Sequence, residues 1–405
     1  MRISTNVLFD SGAARIGNLQ NSLNRTQQQL SSGKRILNPS DDPVAAAQAV
    51  NVTQSQVIND QLAVNRGSAR NSLNVEESVL GNITSLLQDV KTAVIQAGNG
   101  SLDDQQRGFI ATELQGRLDD LIGLANTVDG GGNQLFGGYQ TSKDAFIKTA
   151  AGADFIGDEG ARMLQVGPGR QLAVSDSGAR IFLRSKTGNG NFVASAANVS
   201  GVPSNTGSGV IGTGTVTNAA ALTGHQYSIT FTSATTFDIQ DVSAGTTVSS
   251  GNAYASGQSI TFDGMQISIE GSPATNDAFT IKPSSSASIF GTMSDLVNLL
   301  KKPVATPADG ANLRNGLRSA QNIVDNTLDN VMTVRADVGS RLKELDSLDA
   351  QGDDRKAQYA ESLQNLQELD YTDAVTRLSK EKIMLEAVQQ SFAQTSGLSL
   401  FNYLK

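Results

Sequence analysis

The chain has 405 residues, with 38% hydrophobic and 5% aromatic side chains, no Trp, no Cys, and 39 acidic against 31 basic groups for a net charge of −8. The absence of Cys excludes disulfides, thiol nucleophiles and thiolate metal sites, and the acidic balance leaves no basic footprint for nucleic acid and no polybasic membrane patch. The length allows about two to four domains, but so little apolar material fits coiled-coil seams plus a small β domain better than one large globule.

No apolar run approaches the ~20 residues of a membrane helix, so membrane insertion is not expected. The opening Met1-Arg2-Ile3-Ser4-Thr5-Asn6 leads into a polar stretch with Asp10, Arg15 and Asn18. It lacks the apolar centre of a secretory leader, so if the protein is exported it is expected not to use a cleaved signal.

Proline placement divides the chain, because an interior Pro costs a helix roughly 3 kcal/mol. The eight prolines stand at 39, 43, 168, 203, 273, 283, 303 and 307, leaving 44–167 and the stretch after 307 free of them. From the N-terminus, Phe9, Ile16, Leu19, Leu23, Thr26 and Leu30 follow three- and four-residue steps, with Gly12 at one seam position. That first helix is expected to stop at Ser32-Gly33. In Asn38-Pro39-Ser40-Asp41-Asp42-Pro43, Asp42 can cap a second helix with Pro43 at its first position.

The second helix carries Leu73, Leu80, Ile83, Leu87, Val90 and Val94 on one seam, interrupted by Glu76, and closes at Ala97-Gly98. A third carries Leu114, Leu118, Leu121, Ala125 and Val128 and is expected to end at Gly130-Gly131-Gly132. Gly137-Gly138, Gly152 and Gly167-Pro168-Gly169 then predict hairpins to about residue 175. Between 176 and 285 the period is two: Tyr227, Ile229 and Phe231, then Phe237 and Ile239, then Ile260 and Phe262. Asp263-Gly264 turns that last run back into Met265, Ile267 and Ile269. Within 195–285 Lys282 is the only Lys or Arg against five carboxylates, so a hydroxyl-rich, weakly acidic surface is expected.

A short helix from Ile289 to Leu300 precedes a long one through Leu317, Ala320, Val324, Thr327, Val331, Val334, Val338, Leu345 and Leu348. The last helix is expected from about Asp354, with Leu378, Leu385, Val388 and Phe392 on its seam and Glu381 among them. The fold class predicted is α+β: long terminal helices paired as an antiparallel coiled coil, with β-hairpins and an inserted antiparallel β domain.

Candidate chemistry is sparse. His225 is the sole histidine, so a histidine-zinc motif is impossible, and Thr223-Gly224-His225-Gln226-Tyr227 reads as entry into a strand. Gly207-Ser208-Gly209-Val210-Ile211-Gly212 spells a dinucleotide-binding pattern, but no helix follows it. Asp41-Asp42 read as helix-capping carboxylates beside exposed N–H groups. No catalytic, cofactor or metal site is expected.

Several segments carry a resemblance more specific than periodicity. Met1-Arg2-Ile3-Ser4-Thr5, Leu30-Ser31-Ser32-Gly33-Lys34-Arg35 and Asn38-Pro39-Ser40-Asp41-Asp42-Pro43-Val44-Ala45-Ala46 open the chain. Asp370-Tyr371-Thr372-Asp373-Ala374 and Ser399-Leu400-Phe401-Asn402 close it. Together they resemble the bacterial flagellin superfamily and, within it, the branch of hook–filament junction proteins rather than flagellin. Leu135-Phe136-Gly137-Gly138-Tyr139 looks like that branch's first hairpin, and the resemblance fades across 176–290.

The resemblance implies an extracellular structural protein of the flagellum, not an enzyme, with this layered organisation: residues 1–42 and 356–405 as inner-layer helices, 43–175 and 286–355 as a helical second layer with hairpins, and 176–285 as an outer β domain. It also implies export by the flagellar type III apparatus with a cytoplasmic chaperone. The first hook-associated protein and flagellin would be axial neighbours, with copies of the chain itself in a ring-like layer. Subunit packing is expected at Phe9, Ile16, Leu19, Leu23 and Leu30 against Leu378, Leu385, Val388 and Phe392. The loop with Asn38, Pro39, Asp41, Asp42 and Pro43 is expected to cap a helix and to touch a neighbour. The rival readings are flagellin itself and a surface-binding protein acting through 176–285.

Overall fold

The computed structural model describes residues 5–201 and 205–401, so Met1-Arg2-Ile3-Ser4 and Asn402 of the terminal motifs lie outside the described residues. The chain forms two compact units, one of Met1–Val64 with Ser347–Lys405 and one of Asn65–Asp346.

The first unit contains α1 (Thr5–Ser32), the opening part of α2 (Pro43–Ala97) and the closing part of a later helix, Pro307–Gln367, followed by a last one, Tyr371–Phe401. The first helix stops because Gly33 takes φ +68°, a left-handed conformation open to Gly. Main-chain bonds then tie this turn to the break between the last two helices: the Arg35 amide donates to the Gln367 carbonyl at 2.7 Å and the Leu369 amide to the Gly33 carbonyl at 3.1 Å. The break expected near Asp354 lies instead at Glu368–Asp370. A lone Gly352 costs a helix only about 1 kcal/mol, and its carbonyl accepts from the buried Asn59 side chain at 2.9 Å. The stronger signal is Asp370, whose Oδ1 accepts from the amides of Thr372 and Asp373 at 2.9 and 3.1 Å.

In the second unit, α2 buries Leu73, Leu80, Ile83, Leu87, Val90 and Val94 along one seam, with Glu76 buried among them. Next comes α3 (Asp104–Ala125), opened by a capping box between Asp103 and Gln106. It ends before the glycine run that the sequence pattern pointed to. Asn126 exchanges two bonds with the Phe146 backbone, both 2.8 Å, and that tertiary demand outweighs one more helical turn. Two hairpins follow, β1 (Phe146–Thr149) with β2 (Gly152–Phe155) and β3 (Met163–Gly167) with β4 (Arg170–Ala173). Phe136, Phe146, Phe182 and Phe290 form one aromatic cluster, with ring centroids 4.9–5.7 Å apart.

After a π-helical turn, Ala179–Leu183, β5 (Ser185–Lys186) leads into the β domain. That domain holds β6 (Phe192–Ser195), β7 (Val210–Ile211), β8 (Thr215–Val216), β9 (Tyr227–Ser233), β10 (Thr236–Asp241), β11 (Thr246–Ala253), β12 (Ser259–Phe262), β13 (Met265–Glu270) and β14 (Ala278–Pro283). One antiparallel sheet has the order β11-β10-β9-β14-β6; the other has β12-β13-β7, with β8 also paired to β13. Alternate residues of both sheets share one core, including Tyr227, Ile229, Phe231, Phe237, Ile239, Phe262, Ile267 and Phe279. The β12–β13 turn places Asp263 at φ 42° and Gly264 at φ 76°, both left-handed, as a two-residue hairpin requires.

The chain leaves beside its point of entry, because β15 (Ser286–Ala287) pairs with β5. It continues into α4 (Ile289–Leu300) and α5 (Pro307–Gln367), and closes with α6 (Tyr371–Phe401). A polar stripe on α5 holds the β domain. Asn315, Arg318, Asn322, Asn326 and Asn330 stand at three- and four-residue steps on one face. Asn315 bonds both Gly209 and Ile211, Arg318 donates to the Ile211 carbonyl, and Asn322 donates to Thr213 Oγ1. Asn326 donates to the carbonyls of Lys186 and Gly188, and Asn330 to those of Arg180 and Ile181.

Candidate functional site

Within the first unit, α1 and α6 pair along the seam that the heptads marked. Ile16, Leu19, Leu23 and Leu30 on one helix and Leu378, Leu385, Val388 and Phe392 on the other are all half-buried, while Thr26 and Ala374 are buried. Phe9 stacks on Phe392 with ring centroids 4.9 Å apart, yet 53% of its surface stays exposed. Two helices can cover only one side of a seam, so these side chains keep apolar area facing solvent. Glu381 falls among them, where its Oε1 accepts from Ser22 Oγ at 2.6 Å.

The loop between α1 and α2 is a tight polar knot. Asp41 Oδ2 accepts from the Leu37 and Asn38 amides, each at 3.0 Å, and its Oδ1 pairs with Arg25 at 2.7 Å. The Asn38 amide, opposed by partial burial and helped by the Leu37 amide and Arg25, holds this carboxyl below its ordinary range. Asp42 Oδ1 caps α2 by accepting from the Ala45 amide at 3.0 Å, and its Oδ2 meets Arg35 at 3.3 Å. The Ala45 amide is the main cause of the lowered Asp42 pKa. Arg35 also donates to the Leu366 carbonyl at 2.9 Å, and Gln29 to the Arg35 carbonyl at 2.6 Å. Gln29 thus serves a bond within the chain. Asn38, Pro39 and Pro43 are exposed.

Sequence periodicity missed a second face. From Pro43 to Asn59, α2 carries no charged residue, and Val50, Val57 and Val64 recur every seven positions at 65%, 62% and 64% exposure, with Val44 and Ile58 beside them. A seven-residue step returns to nearly the same face of a helix. A groove of about 490 Å³ lined by Ile36, Leu37, Pro39, Ala46, Val50 and Gln367 opens next to it. The available signal was a heptad of Val displaced from the buried seam of the same helix.

His225 Nδ1 contacts Asp241 Oδ2 at 2.7 Å, and the Tyr227 hydroxyl donates to Asp263 at 2.7 Å. Among the described residues no group of three His, Cys, Asp or Glu could hold a metal ion, and no helix is long and apolar enough to cross a membrane.

Paired terminal helices, a capped polar loop and a β domain inserted between helical segments define a structural protein of the flagellin type. Residues 3–141 match the bacterial flagellin N-terminal helical region, and residues 202–283, where the resemblance fades, match the D2-like domain of flagellar hook-associated protein 1. Flagellar hook-associated protein 3 of Salmonella typhimurium is 30% identical over 401 residues, covering 99% of each chain. The crystal structure of hook-associated protein 3 from Legionella pneumophila superposes with a TM-score of 0.72 at 28% identity, over 78% of this chain and 98% of that one. By contrast, polar flagellin F of Vibrio parahaemolyticus is 28% identical over 151 residues, 37% of this chain and 40% of that one. The chain belongs to the flagellar hook-associated protein 3 family. Its relatives are structural proteins of the flagellum, and it is not an enzyme.

Proposed function

We propose that this chain is the axial adapter that joins hook to filament, with the first hook-associated protein and flagellin as its axial neighbours and copies of itself completing a ring-like layer. The observation that carries this reading is the half-buried α1–α6 seam. Leu19, Leu23, Leu385 and Phe392 are only half-buried, which suits helices completed by neighbours. The uncharged α2 face with Val50, Val57 and Val64 and the stiff Asn38–Pro43 loop add lateral surfaces within the same unit. At about 25 cal/mol per Å² of apolar area removed from water, covering such stripes offsets part of the cost of ordering long helices. Family membership supports export by the flagellar type III apparatus without a cleaved signal, assisted by a cytoplasmic chaperone, to an extracellular position at the junction.

Purified protein offered to hook fragments, with flagellin added afterwards, tests the proposal by electron microscopy. A short cap of this chain on hook ends, required before flagellin grows, is the expected result. Long filaments of this chain alone would make it a filament subunit. A glycan or host-surface role of the β domain draws no support from its aromatics: Tyr227, Phe231, Phe237, Phe262 and Phe279 are consumed by the core, with Tyr254 packed against it.

A further inference from the structure

Glu76 is the one carboxylate enclosed by the apolar seam of α2, and its solvent exposure is 0%. Its Oε1 accepts a single bond, from the Asp176 amide at 3.1 Å, and its Oε2 has no partner. Asp176 faces it from the segment between β4 and the π-helical turn. The Asp176 carboxylate is fully engaged: Arg341 of α5 reaches both oxygens at 2.8 and 3.1 Å, and Arg180 of the π-helical turn reaches Oδ1 at 2.8 Å. Arg180 also holds Asp337 of α5 at 2.5 Å. Arg335, the cation preceding Arg341 on α5, is taken by Glu77 at 2.6 Å.

The charges therefore do not balance if every group ionises. Glu76, Asp176 and Asp337 share Arg180 and Arg341, and Glu76 is the carboxyl to which no cation is bonded. A buried carboxylate without a counter-charge is strongly disfavoured, and one amide bond does not compensate it. Burial first, and the Asp176 carboxylate second, push the Glu76 carboxyl up to about 8 against the pull of Arg341.

We propose that the Glu76–Asp176–Arg341 cluster is an alkali-sensitive latch: protonated Glu76 lets the segment from Val174 to Arg180 dock between α2 and α5, and loss of that proton to solvent releases it. Asp176 is the pivot, since its amide meets α2 while its carboxylate meets α5. The same segment carries the Gly178 amide to the Phe136 carbonyl at 2.9 Å and Ser177 Oγ to the Asp158 carbonyl at 3.0 Å. Release therefore frees the strap through which the hairpins lead into the β domain.

The sign follows from linkage. The folded carboxyl holds its proton more tightly than the unfolded one, whose ordinary value is 4.5. The stabilisation is complete below about 4.5, declines as pH rises, and is lost once pH passes about 8. Hydrogen exchange of the full chain at the Asp176, Gly178 and Arg180 amides, corrected for intrinsic rates, tests this from about pH 6 to about pH 9.5. The opening constant is expected to rise by up to about tenfold per pH unit and then level off above about 8, and Glu76→Gln is expected to remove that slope. An identical slope in Glu76→Gln, or none in the wild type, overturns the proposal. If Glu76→Gln fails to fold, carboxyl 13C shifts of wild-type protein labelled at Glu decide. One glutamate titrating well above the others supports the latch, and all glutamates titrating in the ordinary carboxylate range overturns it.

Discussion

Gly12 lies under the ring of Phe392: a Cβ at position 12 would come within 2.7 Å of Phe392 Cδ2. That approach lets the ring settle between Phe9 and the α1 backbone, and it joins the start of α1 to the distal part of α6. Gly12→Ala gains about 1 kcal/mol of helix propensity, but its Cβ already forces the ring to shift, and Gly12→Leu displaces it further, at about 1–3 kcal/mol of overpacking. Protease sensitivity of the two terminal helices is expected to rise most in Gly12→Leu and less in Gly12→Ala.

A charge in the seam should separate assembly from folding. Leu19→Asp and Leu385→Asp each put a carboxylate on a half-buried apolar stripe. Swimming and hook–filament joining are expected to be lost, while the thermal transition of the β domain stays in place. Normal motility in either variant would falsify the role assigned to the α1–α6 pair.

Stability of the β domain rests on its own core. Phe231 is fully buried, with ring centroids of Tyr254, Phe237 and Phe279 at 5.0, 5.7 and 5.8 Å. Phe231→Ala is expected to cost about 3–5 kcal/mol, seen as a lower Tm for that domain by calorimetry, with the helical signal of the terminal segments retained.

The Asn stripe on α5 predicts loosened docking without unfolding. Each bond contributes about 0.5–1.5 kcal/mol. Asn326→Ala with Asn330→Ala is therefore expected to speed hydrogen exchange around Lys186 and in the π-helical turn, while leaving the β9 and β14 amides protected. Equal acceleration in β9 would show that the stripe supports the domain's fold instead of its attachment.

Acid should act at Asp129. Burial raises its pKa, but the Asn133 amide, Arg162 and the Gly131 amide together outweigh burial and hold it below the ordinary 3.8. A lowered carboxyl contributes stability that is present above about 3.8 and lost as pH falls through the folded value. The turn from Asp129 to Asn133, and the Arg162 contact at 3.1 Å, are expected to loosen below about pH 4. Asp129→Asn should show that looseness already at neutral pH, read as faster exchange of the Asn133 amide.

Signals that act over a few residues were legible in the sequence. The three- and four-residue steps of α1 and α6, the Asp42-Pro43 start of α2, and the Asp263-Gly264 turn each depend on local backbone geometry, so spacing alone marked them. The alternation of Tyr227, Ile229 and Phe231 likewise announced strands of an antiparallel β domain, because a strand buries every second side chain whatever lies opposite. Ends of helices were less legible: the Asn126 bonds to Phe146 and the Asp370 cap decided two of them, one through a residue 20 positions away.

Long-range polar partners belonged to the tertiary structure alone. Glu76 looked like a blemish in a seam, since nothing near it in sequence announces Asp176 or Arg341, which lie 100 and 265 positions further on. Asn315, Asn322, Asn326 and Asn330 carry no mark in the sequence either, because their partners lie among residues 180–213. Hydrophobic periodicity is written along the chain because burial is a property of a face. A hydrogen bond or ion pair needs a specific partner, and only the folded chain supplies it.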